Sequence, residues 1–142
     1  MSRHCVLCAI AAGAEPASFV YEDEDVLGIM SLDQPVRHKV LIFPRAHAET
    51  LYDLDDELAG ALFRASARVA RAVRDASGCP GLNLVQSNGS AAGQEVPHFH
   101  LHLVPRAQGD EIVLAWPAGR AERSELDALA ADICRNIERA AA

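Results

Sequence analysis

The spacing of apolar positions changes several times along the chain, and each change predicts an element. After the "CVLC" stretch the chain reads as a short helix to about Ala12, ended by Gly13. "SFVYED" (18–23) and "VLGIMS" (26–31) read as two strands around an acidic turn at Glu24-Asp25. "KVLIFP" (39–44) is a continuous apolar run closed by Pro44, which predicts a strand buried on both faces. Residues 54–77 carry Leu58, Leu62, Ala65, Val69, Ala72 and Val73 as one helical stripe, with Arg64, Arg68, Arg71 and Arg74 largely off it. Acidic residues open this helix and Gly78 closes it. "LNLVQ" (82–86) is a strand after the Pro80-Gly81 turn, and a polar loop, "SNGSAAGQE" (87–95), follows. "VPHFHLHLVPR" (96–106) alternates histidine with apolar residues, a strand pattern. A last helix starts near Ser124, with Leu126, Leu129, Ile133 and Ile137 on one face. Strands, helix, strands, helix predict an α+β fold: an antiparallel sheet with one long central helix and a C-terminal helix. The 142 residues fit a single domain, 1–142.

Composition adds exclusions more than identity. Half the residues are hydrophobic and 23% are charged, an ordinary balance for a globular domain. A net charge of −7 argues against a general nucleic-acid or anionic-membrane binder, while leaving room for a local anion pocket. No apolar run approaches the roughly 18 residues of a membrane span, and the first residues are too short and broken for a secretory signal. These features predict a cytoplasmic protein. The cysteines are Cys5, Cys8, Cys79 and Cys134. In a reducing compartment the Cys5-x-x-Cys8 pair points to metal or redox chemistry, while Cys79 and Cys134 have no partner motif.

Half of the six histidines stand at every second position: His98, His100 and His102. Period two puts them on one strand face, with Phe99, Leu101 and Leu103 on the other. Chance use of histidine on a wet face is one reading. A single metal held by all three rings is another, but the outer backbones would sit about 13 Å apart, and bonds of about 2 Å strain to span that. Divided labour fits better: one nucleophile flanked by helpers. Imidazole is a free base near neutral pH, and a ring held through one nitrogen presents the other for attack. His100 has a polar neighbour on each side. The loop before it offers Gly89 and Gly93 for close backbone approach, and Ser87, Asn88, Ser90 and Gln94 for hydrogen bonds to an anionic substrate.

At this point the chain resembles a known family. "AGQEVPHFHLHLVPR" looks like the signature of the histidine triad (HIT) family, His-φ-His-φ-His-φ-φ preceded by a Gly-Gln pair. "VLIFPRAH" (40–47) resembles that family's upstream strand, "GLNLVQSNGSAAGQ" its loop after the long helix, and "HCVLC" the Cys pair of its zinc-binding bacterial members. The resemblance implies a nucleotide hydrolase or nucleotidyl transferase acting on a nucleoside phosphoryl substrate, usually a homodimer whose strands continue one sheet. It implies that His100 attacks the α-phosphate and forms a nucleotidyl-histidine that water releases, and that His102 contacts the phosphate and assists the leaving group. Ser87, Asn88, Gly93 and Gln94 would line the phosphate and ribose. Cys5, Cys8, His47 and His98 match the ligands of a structural zinc, and such a Cys₂His₂ set is a common closed tetrahedral site.

Two departures from the family pattern stand out. Relatives carry Gly-His before the strand that ends in Pro-x-x-His, and that histidine supports the nucleophile. Counting back from Pro44, its position falls on Lys39 rather than His38. Either a one-residue bulge returns His38 to the site, or Lys39, the chain's only lysine, has taken the place; both facing solvent is the third reading. An ammonium there would favour an anionic substrate and a neutral imidazole beside it. Where relatives often hold the ribose with an acidic or amide residue, this chain has Ser31, with Asp33 two positions on. His4 reads as a bystander, and Trp116 as a packing residue at a dimer edge or on the core. Three functions remain in view: a nucleotide hydrolase cleaving a phosphoramidate or (di)nucleoside polyphosphate, a nucleotide sensor or scaffold with vestigial catalysis, and a metal-dependent hydrolase.

Overall fold

In the computed structural model, which describes residues 5–141, β1 (Phe19–Glu22) and β2 (Val26–Met30) form a hairpin whose turn is held by one carboxylate. Asp23 accepts the backbone N–H groups of Asp25 at 2.9 Å and Val26 at 2.8 Å, so the acidic turn read from the sequence is an Asx turn. β3 (Val40–Pro44) lies beside β2, β4 (Gly81–Val85) is an edge strand, and β5 (Leu101–Arg106) sits between β3 and β4. The order is β1-β2-β3-β5-β4 and every neighbouring pair is antiparallel.

Two helices cover the sheet from opposite sides. α1 (Val6–Ala11) is capped by the Cys5 sulfur, which accepts from the Cys8 N–H. α2 (Asp56–Ser77) opens on the Asp55 carboxylate, which accepts from the Leu58 N–H at 2.8 Å. It ends at Gly78, whose φ of 68° closes the last turn without a Cβ penalty. Leu62, Ala65, Val69 and Val73 of α2 pack on Val26, Val40, Ile42, Phe99, Leu101 and Leu103. Ala72, placed on the stripe by the sequence pattern, is exposed. It stands about 100° of helical turn from Val73, and Ser66 takes a buried place instead. On the other side Leu7 and Ile10 of α1 pack with Leu27, Ile29 and Phe43. A 3₁₀ turn at Leu51–Asp53, not foreseen from the pattern, is fixed by the Thr50 N–H and hydroxyl, which both donate to the Asp53 carboxylate at 2.8 Å.

The regular part of the histidine strand begins at Leu101, three residues later than the alternation predicts. The His98 N–H bonds the Val96 carbonyl and the Phe99 N–H bonds the Ala48 carbonyl, so neither joins the sheet ladder. The alternation of faces survives: Phe99, Leu101 and Leu103 all belong to the α2-side core, whereas His98 packs edge-on against Phe43 of the opposite side.

The chain divides into two compact units, one running to Glu111 and one starting at Ile112. The second holds α3 (Arg123–Ala141), on which Leu126, Leu129, Ile133 and Ile137 are all exposed. Trp116, expected at a dimer edge or on the core, is 86% exposed in the single chain. Among the described residues no helix is long and apolar enough to cross a membrane.

Candidate functional site: a histidine pair beside a thiol and imidazole cluster

The start of α1, the segment after β3 and the approach to β5 bring Cys5, Cys8, His47 and His98 together, with all four ligand atoms within 4.8 Å of one another. His98 Nδ1 lies 3.3 Å from Cys5 Sγ and 3.4 Å from Cys8 Sγ, and His47 Nδ1 lies 3.3 Å from Cys8 Sγ. Zn–S bonds of about 2.3 Å and Zn–N bonds of about 2.0 Å at tetrahedral angles would hold sulfur and nitrogen about 3.5 Å apart, so the donor set fits a zinc ion. The tautomer fits as well. His98 Nε2 is 2.9 Å from the Pro44 carbonyl, which can only accept, so the proton is on Nε2 and the Nδ1 lone pair faces the thiols. His98 is fully buried, and that burial holds its pKa below the usual imidazole value and keeps it neutral. Burial, with the Cys5 thiol alongside, pushes the Cys8 thiol above its ordinary value, so metal binding there would release a proton.

The next ring is held differently. His100 Nδ1 lies 2.6 Å from the backbone carbonyl of His98. A carbonyl only accepts, so Nδ1 carries the proton and Nε2 keeps a free lone pair. The same residue that lends its ring to the thiol cluster thus lends its carbonyl to His100. His102 follows with its ring centroid 4.8 Å away, at 68° to the His100 ring. Burial first, then His100 and Lys39, push the pKa of His102 down to about 4, so it is neutral near pH 7.

β3 and β5 pair Leu41 with His102, which puts Leu41 and, two residues earlier, Lys39 on the histidine face. His38 lines a cavity of about 270 Å³ together with Tyr21, Met30, Val40 and Val69, on the α2 side of the sheet. Its φ of 69° is the only left-handed non-glycine backbone among the described residues. Of the two positions left open by the sequence, Lys39 is the one beside the triad; no bulge returns His38 to it.

The loop between β4 and β5 spends its polar groups on its own shape. Gln94 Oε1 accepts the Gly89 N–H at 2.7 Å, and Gln94 Nε2 donates to the carbonyls of Glu49 at 2.7 Å and Val96 at 3.1 Å. Asn88 Oδ1 accepts from the Leu51 N–H at 2.7 Å, and the Asn88 and Gln86 amides exchange bonds of 2.8 and 2.9 Å. The Ser87 carbonyl accepts from Gln86. Gly89 and Gly93 have φ of 81° and 84°, a conformation that favours glycine. Ser31 is buried and donates its N–H to the Lys39 carbonyl at 3.1 Å, whereas Asp33 is exposed. The roles of Gln86 and Gln34 were not foreseen: Gln86 stands in the 81–94 stretch without a role of its own, and Gln34 lies in no motif.

The HIT domain pattern matches residues 12–109. The chain belongs to the HIT family. It is 40% identical to "Protein hit" of Bacillus subtilis over 116 residues, 81% of this chain and 80% of that one. A crystal structure of a HIT family member from Bacillus subtilis superposes with a TM-score of 0.89 at 36% identity, covering 94% of this chain and 96% of the other. A Zn-bound histidine triad family protein from Mycobacterium smegmatis has a TM-score of 0.75 at 37% identity, covering 84% and 87%. Further off, the adenosine 5'-monophosphoramidase of Saccharomyces cerevisiae is 27% identical over 135 residues, 94% of this chain and 83% of that enzyme. The HIT fold is therefore the α+β sheet and helix arrangement described above.

Proposed function

We propose that this HIT protein is a nucleotide hydrolase that cleaves a nucleoside phosphoramidate or (di)nucleoside polyphosphate at the α-phosphate through a nucleotidyl-His100 intermediate. The observation that carries this reading is the 2.6 Å contact between His100 Nδ1 and the His98 carbonyl. It leaves Nε2 as the attacking atom. As Nε2 bonds to phosphorus, the bond to the leaving nitrogen or oxygen breaks, a leaving amine takes its proton from solvent, and the ring becomes cationic. The Nδ1–H bond to the carbonyl then becomes charge-assisted, and it stabilises the intermediate more than the resting ring. Water attacks phosphorus in the second step, releases the nucleotide and returns His100 to neutral. His102 enters neutral and can meet the phosphate through a ring N–H. The Lys39 ammonium opposes the negative charge that builds on the phosphoryl oxygens. Ser87, Asn88, Gly93 and Gln94 shape the phosphate and ribose loop; since both Gln94 donors are engaged, backbone N–H groups of that loop are the better phosphate donors. The phosphoramidase named among the relatives supports this substrate class.

Cys5, Cys8, His47 and His98 would hold a zinc whose contribution is structural. Four protein donors would complete a tetrahedral set and leave no position for a reacting water, although His47 itself is exposed. The reading includes a cytoplasmic homodimer, supported by the family and by the edge position of strand β4. Turnover of a panel of adenosine and guanosine phosphoramidates and dinucleotides by the purified protein tests the activity. Binding of nucleotide without any turnover across the panel would favour a sensing role.

A further inference from the structure

Nine residues, 31–39, connect β2 to β3, and one side chain closes their neck. Gln34 Nε2 donates to the Ser31 carbonyl at 2.7 Å and to the Lys39 carbonyl at 2.7 Å, while Gln34 Oε1 accepts the Lys39 N–H at 3.1 Å. Both backbone groups of Lys39 are thus bound by a single planar amide. The Ser31 N–H makes a further bond to the same Lys39 carbonyl. Directly before Lys39, His38 stands at φ 69°, a backbone state that most side chains avoid and that turns the chain sharply. The clamp and the turn together determine which of two adjacent residues faces the histidines. His38 goes to the α2-side cavity and Lys39 to the His100–His102 face.

We infer that Gln34 is a positioning residue that acts through Lys39: it fixes the backbone from which the ammonium meets the phosphoryl group held by His100 and His102. The β2–β3 connection is then part of the anion site through Lys39. This rests on the catalytic reading of His100, and it has a readout of its own. His102 is faced by His100 from its own strand and by Lys39 from the connection. β3 (Val40–Pro44) and β4 (Gly81–Val85) carry no titratable side chain. Beside its burial and the His100 charge, the His102 midpoint therefore responds to where the Lys39 charge sits.

The experiment is a double-mutant cycle on the full chain with Gln34→Ala, Lys39→Ala and the pair, read by turnover of an adenosine phosphoramidate and by NMR titration of His102. Lys39→Ala is expected to lower kcat/KM about ten- to a thousand-fold, and Gln34→Ala about tenfold. The pair should be no worse than Lys39→Ala alone, because a clamp has nothing to place once the lysine is gone. The His102 midpoint should rise in both single variants and rise no further in the pair. Gln34→Met, which keeps the side-chain volume but makes none of the three bonds, repeats the test if the alanine variant folds poorly. Additive losses, or a midpoint that moves with Lys39→Ala but not with either Gln34 variant, would overturn the inference. So would a midpoint indifferent to Lys39. If no variant nor the wild type turns over any substrate, the hydrolase reading fails, while the titration still decides the clamp.

Discussion

His98 does two jobs with one residue. Its ring points Nδ1 into the thiol cluster, and its carbonyl receives the Nδ1–H of His100. A change at the cluster therefore reaches the nucleophile through one peptide unit. Zinc analysis of the purified protein is expected to give one ion per chain. Cys8→Ser is expected to lose the ion and lower the melting temperature more than it lowers turnover in the surviving folded protein. Metal that is absent from the wild type, or activity restored by assorted divalent ions after chelation, would contradict a structural site. His102 gives a pH signature. Its folded value of about 4 lies below the roughly 6.5 of an unfolded imidazole, so between those values the unfolded chain binds more protons. Stability should therefore rise with pH across that window and lose this dependence above it. Urea midpoints from pH 4 to 7 should climb more steeply for the wild type than for His102→Asn; equal slopes would mean that the ring is not held neutral.

At the scale of elements, α2 carries a small flaw that can be measured. Ser66 is 2% exposed and its hydroxyl has no hydrogen-bond partner. Burying such a group costs free energy, and alanine suits a helix better than serine. Ser66→Ala is expected to stabilise the protein by about 1 kcal/mol in chemical denaturation. A loss of stability instead would show that the hydroxyl serves a bond back to its own helix. The elements also show what period alone can reveal. α2, with its Asp55 cap and Gly78 stop, was legible because burial on one face imposes a period on the chain, and the β1–β2 hairpin because two short apolar runs flank an acidic turn. The start of β5 was not. His98 and Phe99 keep the strand pattern while their N–H groups bond outside the ladder, and hydropathy does not record hydrogen bonds. The same holds for Lys39. Counting from Pro44 put it at the triad, but the left-handed turn at His38 and the Gln34 amide that enforce the choice have no periodic trace.

For the whole molecule, the Cys/His cluster was legible as a set of residues and illegible as a geometry. Cys5, Cys8, His47 and His98 come from three stretches, 93 residues apart at the extremes, and only folding shows their ligand atoms within 4.8 Å. A homodimer is expected in solution, with sedimentation giving twice the 15.2 kDa chain mass; a monomer at micromolar concentration would remove that part of the proposal. Every larger statement rests on His100 as nucleophile. The most direct measurement is rapid quenching of the protein with an adenosine phosphoramidate, followed by mass spectrometry of its peptides. One adenylyl group on His100 is expected in the wild type, and neither adduct nor turnover in His100→Ala, which still binds nucleotide. Near-normal turnover by His100→Ala, or an adenylyl group on another residue, would contradict it.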